Sequence, residues 1–156
     1  MPKLVWEDSF SKDGAPNSAK WRYETGGNGW GNNELQFYTD RRENARIEKK
    51  RLIIEARKED YQGKRFTSAR LASKQAWKYG RFEVVAKLPA GRGSWPAIWM
   101  LPEPMGRWPL CGELDIMEHV GYDPGRIHHT VHTEAFNHTK GTQKGQNHLV
   151  TDFDKA

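Results

Sequence analysis

The chain has 156 residues, the length of a single domain, and carries a formal net charge of +5 at pH 7. Its 25 basic residues lie in short pairs and triplets among 20 acidic ones, which favours a solvated surface over a phosphate-binding stripe for nucleic acid. No segment is long and apolar enough to span a membrane, and the lone cysteine, Cys111, excludes an internal disulfide.

Short strands dominate the predicted secondary structure in chain order. Residues 52–56 and 69–73 are predicted strands, and residues 81–88 alternate with Phe82, Val84, Ala86 and Leu88 on one face. Residues 126–133 form a further predicted strand, and glycine and proline turns separate these segments. No window shows a sustained helical period. The pattern predicts an all-β fold, an antiparallel β-sandwich of the jelly-roll kind.

Residues 112–118 place three carboxylates in an otherwise apolar run. Glu113 and Asp115 share one face of a strand because side chains alternate, and a β-bulge between Asp115 and Glu118 would bring Glu118 to the same face. Three crowded acids repel one another, which indicates acid–base or nucleophilic chemistry on a neutral substrate. An acidic strand edge or a cation site is disfavoured, because the other face is apolar, with Leu114, Ile116, Met117 and Val120.

Residues 108–118 resemble the active-site strand of family 16 glycoside hydrolases, in the bulged form of the laminarinases (endo-1,3-β-glucanases). Four further blocks resemble the same family in the same order, at residues 30–39, 67–70, 79–83 and 94–102. The resemblance implies a concanavalin-like jelly roll and a retaining endo-hydrolase of β-1,3-glucan. The bulge disfavours lichenases, in which the second glutamate comes one residue earlier.

Other specificities and another class of protein stay open beside this hypothesis. Mixed-linkage glucan, agarose and carrageenan are alternative substrates within the family, and a non-catalytic or weakly active glucan-binding fragment is an alternative without hydrolysis. A basic nucleic-acid binder is the third class, and its binding would weaken steeply with salt, unlike binding to a neutral glucan.

The resemblance also implies roles for the three acids. Glu113 takes the position of the nucleophile and Glu118 that of the acid/base, with the two carboxyl groups expected about 5–5.5 Å apart. Asp115 lies between them, where it could hydrogen-bond the nucleophile. Repulsion from a charged Glu113 is expected to help keep Glu118 protonated. No cofactor is required by this chemistry.

Aromatic and polar residues provide candidates for binding sugar. Trp95, Trp99 and Trp108 precede the acid strand closely and are expected platforms for the apolar faces of sugar rings, although any one of them is equally compatible with a core position. Asn33 and Arg70 match polar positions that line the cleft in the family. A surface hydrogen bond unrelated to substrate is the alternative for each.

Four of the histidines after the acid strand are candidates for a metal site, and two of them have the spacing of a helical zinc pair; the four are His128, His129, His132 and His138. His128 and His132 are four residues apart, but residues 126–133 are predicted as a strand, so His128 and His132 share a face with Thr130 while His129 lies on the other. No metal site is therefore predicted. His132 matches a family position beside the catalytic strand, which implies that it positions a carboxylate or a sugar hydroxyl. A partly buried, satisfied histidine is the alternative.

Sandwiches of this class commonly have roughly 200–250 residues, and in the family the last third of the domain supplies further strands. Residues 1–156 are therefore expected to be one catalytic domain truncated on its C-terminal side, complemented by a C-terminal segment or a second chain. Some members bind a structural calcium, but Ser9 stands where the family usually has Glu, so calcium is expected only in a complete domain. Secretion is expected from the resemblance, although the first residues contain no signal peptide.

Overall fold

The computed structural model describes residues 3–155 and divides the chain into two compact units, the first ending at Gln75 and the second beginning at Ala76. Residues 1, 2 and 156, the ends of the predicted domain, lie outside the described residues. The regular secondary structure of the described part consists of eleven strands, as the alternation predicts, and one short 3-10 helix. None of its helices is long and apolar enough to cross a membrane.

The first unit contains seven strands in three small sheets. The strands are β1 (Trp21–Glu24), β2 (Gln36–Tyr38), β3 (Ala45–Glu48), β4 (Arg51–Ile54), β5 (Arg57–Tyr61), β6 (Lys64–Ser68) and β7 (Arg70–Ser73). β1 pairs with β7, β3 with β4 and β5 with β6, all antiparallel, whereas β2 pairs with β6 in parallel. The predicted strands at residues 52–56 and 69–73 are thus confirmed as β4 and β7.

A buried polar network holds the first unit together. Asn44 is fully buried, and its amide Nδ2 donates to Thr67 Oγ1 at 2.9 Å and to the backbone oxygen of Glu55 at 3.0 Å. Thr39 Oγ1 donates to Asn44 Oδ1 at 2.5 Å. These bonds satisfy polar groups that would otherwise be costly to bury, and they tie the turn before β3 to β6. The buried apolar residues around them are Ala45, Ile47 and Ala69.

The second unit is one antiparallel sheet. Its strands are β8 (Ala97–Met100), β9 (Glu113–His119), β10 (Arg126–His132) and β11 (Lys144–Leu149), and the 3-10 helix spans His138–Lys140 between the last two. The order across the sheet is β11-β10-β9-β8, so β9 is paired on both edges. The predicted strand at residues 126–133 is confirmed as β10, and the acid-bearing segment is the interior strand β9.

The prediction of a strand at residues 81–88 is wrong. The structure assigns no strand to these residues, and Val84 and Val85 are 57% and 102% exposed. Leu88 is the buried member of the segment, and its N–H donates to the backbone oxygen of Phe153 at 2.9 Å. Alternation predicts which face a strand would bury, but a strand forms only where a neighbouring strand takes up its hydrogen bonds.

Candidate active site

A β-bulge in β9 brings the three acids to one face of the sheet. Between the pair Asp115–Thr130 and the pair Glu118–His128, β9 has two intervening residues whereas β10 has one. The register with β8 shifts at the same place. Residues opposite one another in a sheet share a face. The partners of the three acids in β10 are every second residue, so they lie on one face; they are His132, Thr130 and His128. The predicted bulge is therefore confirmed, and it aligns all three acids.

Two tryptophans donate their indole N–H groups to the two glutamates. Trp108 Nε1 lies 2.6 Å from Glu113 Oε2, and Trp95 Nε1 lies 2.9 Å from Glu118 Oε1. An indole N–H is a donor only, so each bond orients one carboxylate oxygen toward a fixed direction. The arrangement could not be inferred from the spacing of the tryptophans, because Trp108 reaches β9 from the preceding loop and Trp95 from just before β8.

Asp115, the middle acid, is the buried one. Its residue is 7% exposed, and its Oδ2 lies 3.3 Å from Nε2 of His132. Burial, followed by the charges of Glu118 and Glu113, raises the pKa of Asp115 to about 7. The expected protonation of Glu118 stays a prediction; the raised pKa of Asp115 arises because burial adds to the repulsion from both glutamates.

His132 faces Asp115 in an environment that disfavours its charged form. Burial lowers the pKa of His132; the charges of Glu113 and Glu118 act in the opposite direction, and His138 acts with burial. The shifts of both pKa values, upward for Asp115 and downward for His132, favour the neutral form of each side chain in this contact. The predicted neighbourhood of His132, beside a carboxylate, agrees with this contact.

His138 joins this group although its sequence position suggests only a candidate metal ligand. Its ring centroid lies 4.8 Å from that of Trp108 and 5.2 Å from that of His132. Because the loop that carries it folds back after β10, no spacing in the sequence indicates the contact. Within residues 3–155 the structure has no group of three or more His, Cys, Asp or Glu side chains placed to hold a metal ion.

The remaining predicted residues lie in different places. Trp99 is in β8 directly opposite Asp115, so the sheet places it with the acids. Asn33 and Arg70 belong to the first unit. There Arg70 Nε donates to Glu24 Oε2 at 2.5 Å, and its guanidinium lies 4.4 Å from the centroid of the Trp30 ring. Asn33 sits in a turn with φ of 56°. Arg70 therefore takes part in contacts of its own unit.

Comparison with known proteins identifies relatives of the same kind over almost the whole chain. A family model described as an XgeA-like, catalytic GH16 domain matches residues 16–155. A "Beta-glucanase" of Rhodothermus marinus is 57% identical over 97% of this chain. A "Glucan endo-1,3-beta-glucosidase" of Cryptopygus antarcticus is 44% identical over 96% of it. The chain spans 57% and 58% of the length of these two relatives.

A solved structure supports the fold assignment. The X-ray structure of the laminarinase from Rhodothermus marinus matches with a TM-score of 0.95 and 54% identity, covering 99% of this chain and 64% of that one. The predicted all-β jelly-roll architecture is thereby confirmed. The likeness extends over both compact units, because nearly every residue of the chain is covered.

Proposed function

Because this chain belongs to glycoside hydrolase family 16, we propose that it hydrolyses β-1,3-glucan as a retaining endo-glucanase. The observation that carries the proposal is the bulge of β9, which aligns Glu113, Asp115 and Glu118 on one face. Two of these carboxylates each accept an indole N–H, so their orientations are set before any substrate binds. Preorganised polar groups of this kind favour charge development in a transition state.

In the proposed first step the carboxylate of Glu113 attacks the anomeric carbon. The glycosidic C–O bond breaks as the carboxyl proton of Glu118 passes to the departing oxygen, which leaves a glycosyl-enzyme ester. The Trp108 indole, 2.6 Å from Glu113 Oε2, supports this assignment because it holds one oxygen while the other stays available for attack. In the second step Glu118 takes a proton from water, and the water opens the ester with retention of configuration.

Asp115 and His132 have a supporting role in this proposal. Their side chains are 8% exposed or less and approach within 3.3 Å, so the pair is shielded from bulk water. With its pKa raised to about 7, Asp115 carries its proton at mildly acidic pH and is about half protonated at pH 7. A protonated Asp115 adds no third negative charge between the glutamates and thereby lowers the repulsion around the nucleophile.

The tryptophans suit a polysaccharide substrate. Trp95 is 49% exposed although its indole N–H is engaged by Glu118, so part of its ring surface is open for a sugar. Trp108 is partly buried and meets Glu113, which supports its proposed place next to the scissile bond. Aromatic rings at such positions pack against the C–H faces of sugars. Asn33 and Arg70 stay proposed substrate contacts on resemblance alone.

The decisive experiment is to incubate the purified chain with laminarin and to count the reducing ends. The Glu113→Gln variant should lose the activity, whereas Glu43→Gln, an exposed glutamate of the first unit, should keep it. Parallel assays with mixed-linkage glucan, agarose and carrageenan determine the specificity. Binding of laminarin oligosaccharides without release of reducing ends would refute hydrolysis and favour the glucan-binding alternative.

We also propose that a further strand-forming segment supports the catalytic sheet. Residues 80–88 form no strand and expose Val84 and Val85, while the two curated relatives extend beyond the length that this chain spans. Positioning contributes about 7–11 kcal/mol to catalysis, so an incompletely supported cleft should be slow. The chain alone should cleave laminarin weakly, and the C-terminal segment of the Rhodothermus marinus relative, added in cis or in trans, should raise the rate. Full activity of a monomeric chain would refute this.

The proposed substrate also bears on where the protein acts. A polymeric glucan is too large to cross a cell membrane unaided, so hydrolysis of the polymer is proposed to take place outside the cell. Neither a nucleic acid nor a membrane is proposed as a partner. A structural calcium ion is proposed only for a longer form of the domain.

A further inference from the structure

The loop that follows β10, residues 133–142, is closed around one buried amide. Asn137 is fully buried, and its Nδ2 donates to two backbone oxygens of the same loop at 3.0 and 3.1 Å. Its Oδ1 accepts from Thr139 Oγ1 at 2.6 Å and from the backbone N–H of Lys140 at 3.2 Å. With donors and acceptor satisfied inside the loop, the loop has one well-defined conformation.

This loop presents His138 to two other rings. Asn137 caps the 3-10 helix that begins at His138, and Gly141 ends it in the left-handed region with φ of 65°. The His138 ring lies 4.8 Å from the Trp108 ring at an interplanar angle of 30°, and 5.2 Å from the His132 ring at 85°. We call Trp108, His132 and His138 the ring cluster.

The ring cluster reaches two of the three acids. Trp108 donates to Glu113 at 2.6 Å, and His132 lies 3.3 Å from Asp115. His138 meets both of these side chains, one across its face and one at its edge. His138 is therefore placed to affect the carboxylates through Trp108 and His132. The hydrogen bonds inside the loop hold His138 in position beside the indole.

We propose that His138 is a positioning residue for Glu113, which it serves by holding the Trp108 indole in the orientation that donates to the carboxylate. A tryptophan side chain turns about two bonds, and only a narrow range of both angles keeps its N–H at 2.6 Å from one oxygen. A ring packed against the indole at 4.8 Å, tilted by 30° to it, removes the alternative orientations on that side. The inference rests on the proposed role of Glu113 as nucleophile.

The test compares two apolar replacements of similar size in the full chain. His138→Phe retains a ring that can pack against the indole, whereas His138→Leu fills the space without a ring. His148→Leu is the matched control, since His148 is exposed on β11 with its ring against His129. The first readout is the indole N–H resonance of Trp108 in proton–nitrogen correlation spectra, assigned by its loss in Trp108→Phe. The second is kcat and KM on laminarin.

We expect His138→Leu to shift or broaden the Trp108 indole resonance and to lower kcat by about 10- to 100-fold, with a much smaller change in KM, because misplaced groups cost rate rather than affinity. His138→Phe should restore both readouts to near the wild-type values, and His148→Leu should leave both unchanged. If the Leu variant does not fold by circular dichroism, His138→Ala takes its place under the same criteria.

Two outcomes overturn the proposal. One is an unshifted Trp108 indole resonance in His138→Leu. The other is an equal loss of kcat in His138→Phe and His138→Leu, which would mean that a ring at position 138 does not matter. The proposed function can fail separately. If the wild-type chain cleaves no laminarin, the hydrolase assignment falls, while the resonance still decides whether His138 positions the indole.

Discussion

Replacing Asp115 by asparagine should make the protein more stable at alkaline pH. The folded chain raises the pKa of Asp115 from 3.8 to about 7, first by burial and then by the charges of Glu118 and Glu113. Each pKa unit corresponds to about 1.4 kcal/mol, so holding the ionised carboxylate in the fold costs about 4 kcal/mol. Asparagine has nearly the same shape and never ionises, and it avoids this cost.

The sign of the pH dependence follows from proton binding. Below about pH 3 both the folded and the unfolded chain carry the proton on Asp115, and the two proteins should be equally stable. As the pH rises toward 7, the unfolded chain releases the proton before the folded chain does, so the wild type loses stability. Above pH 7 the loss is complete, and Asp115→Asn should melt roughly 8–16 °C higher than wild type.

The assay is thermal or urea unfolding of both proteins at several pH values between 4 and 8. Asp154→Asn is the control, because it removes the same charge from an exposed position of the same unit. Its stability should follow the wild-type curve. Parallel curves for wild type and Asp115→Asn across this range would refute the reasoning, since they would show that Asp115 ionises alike in the folded and unfolded chains.

The proposed roles, the bulge and one close backbone approach each allow a further test. Glu113→Ala should abolish turnover, with azide restoring cleavage to a product of inverted configuration. Glu118→Ala should lose about 10²–10⁴-fold on laminarin yet spare substrates with good leaving groups, and azide should then give retained product; the reverse pattern would exchange the two roles. Deletion of Met117 removes the extra residue of β9 and should leave the fold intact by circular dichroism with altered activity, whereas unfolding would mean that the side chain fills the core. Gly121→Ala should lower the free energy of unfolding, measured in urea, by about 1–3 kcal/mol or more, because a Cβ there would lie 1.7 Å from a carbonyl oxygen. Gly80→Ala, whose added Cβ has its nearest contact at 3.7 Å, should leave the free energy of unfolding unchanged. Equal unfolding midpoints for the two variants would contradict this.

The order of residues within the acid strand was sufficient to predict that the three acids share a face. Side chains in a strand alternate, so the positions of Glu113, Asp115 and Glu118 require one extra residue if all three are to share a face. The strands β4, β7 and β10 follow from the same alternation. Such features depend on neighbours within a few residues, and the sequence contains them directly.

Pairing between distant segments was not accessible in the same way. Residues 81–88 alternate as regularly as any strand of the chain, yet the structure assigns them no strand, because a strand also requires hydrogen bonds from another segment. The raised pKa of Asp115 likewise depends on which carboxylate the sheet buries, and the sequence shows only that three acids are near one another.

By itself, then, the sequence determined the fold class, the bulged acid strand and the residues that could perform the chemistry, because these follow from alternation and from residue type. Only the tertiary structure decided which donors meet the acids. Trp108 and Trp95 come from the loops that flank β8, and His138 from the loop after β10. Their meeting with β9 depends on how those loops fold back over the sheet, and that path is set by contacts between residues far apart in the chain.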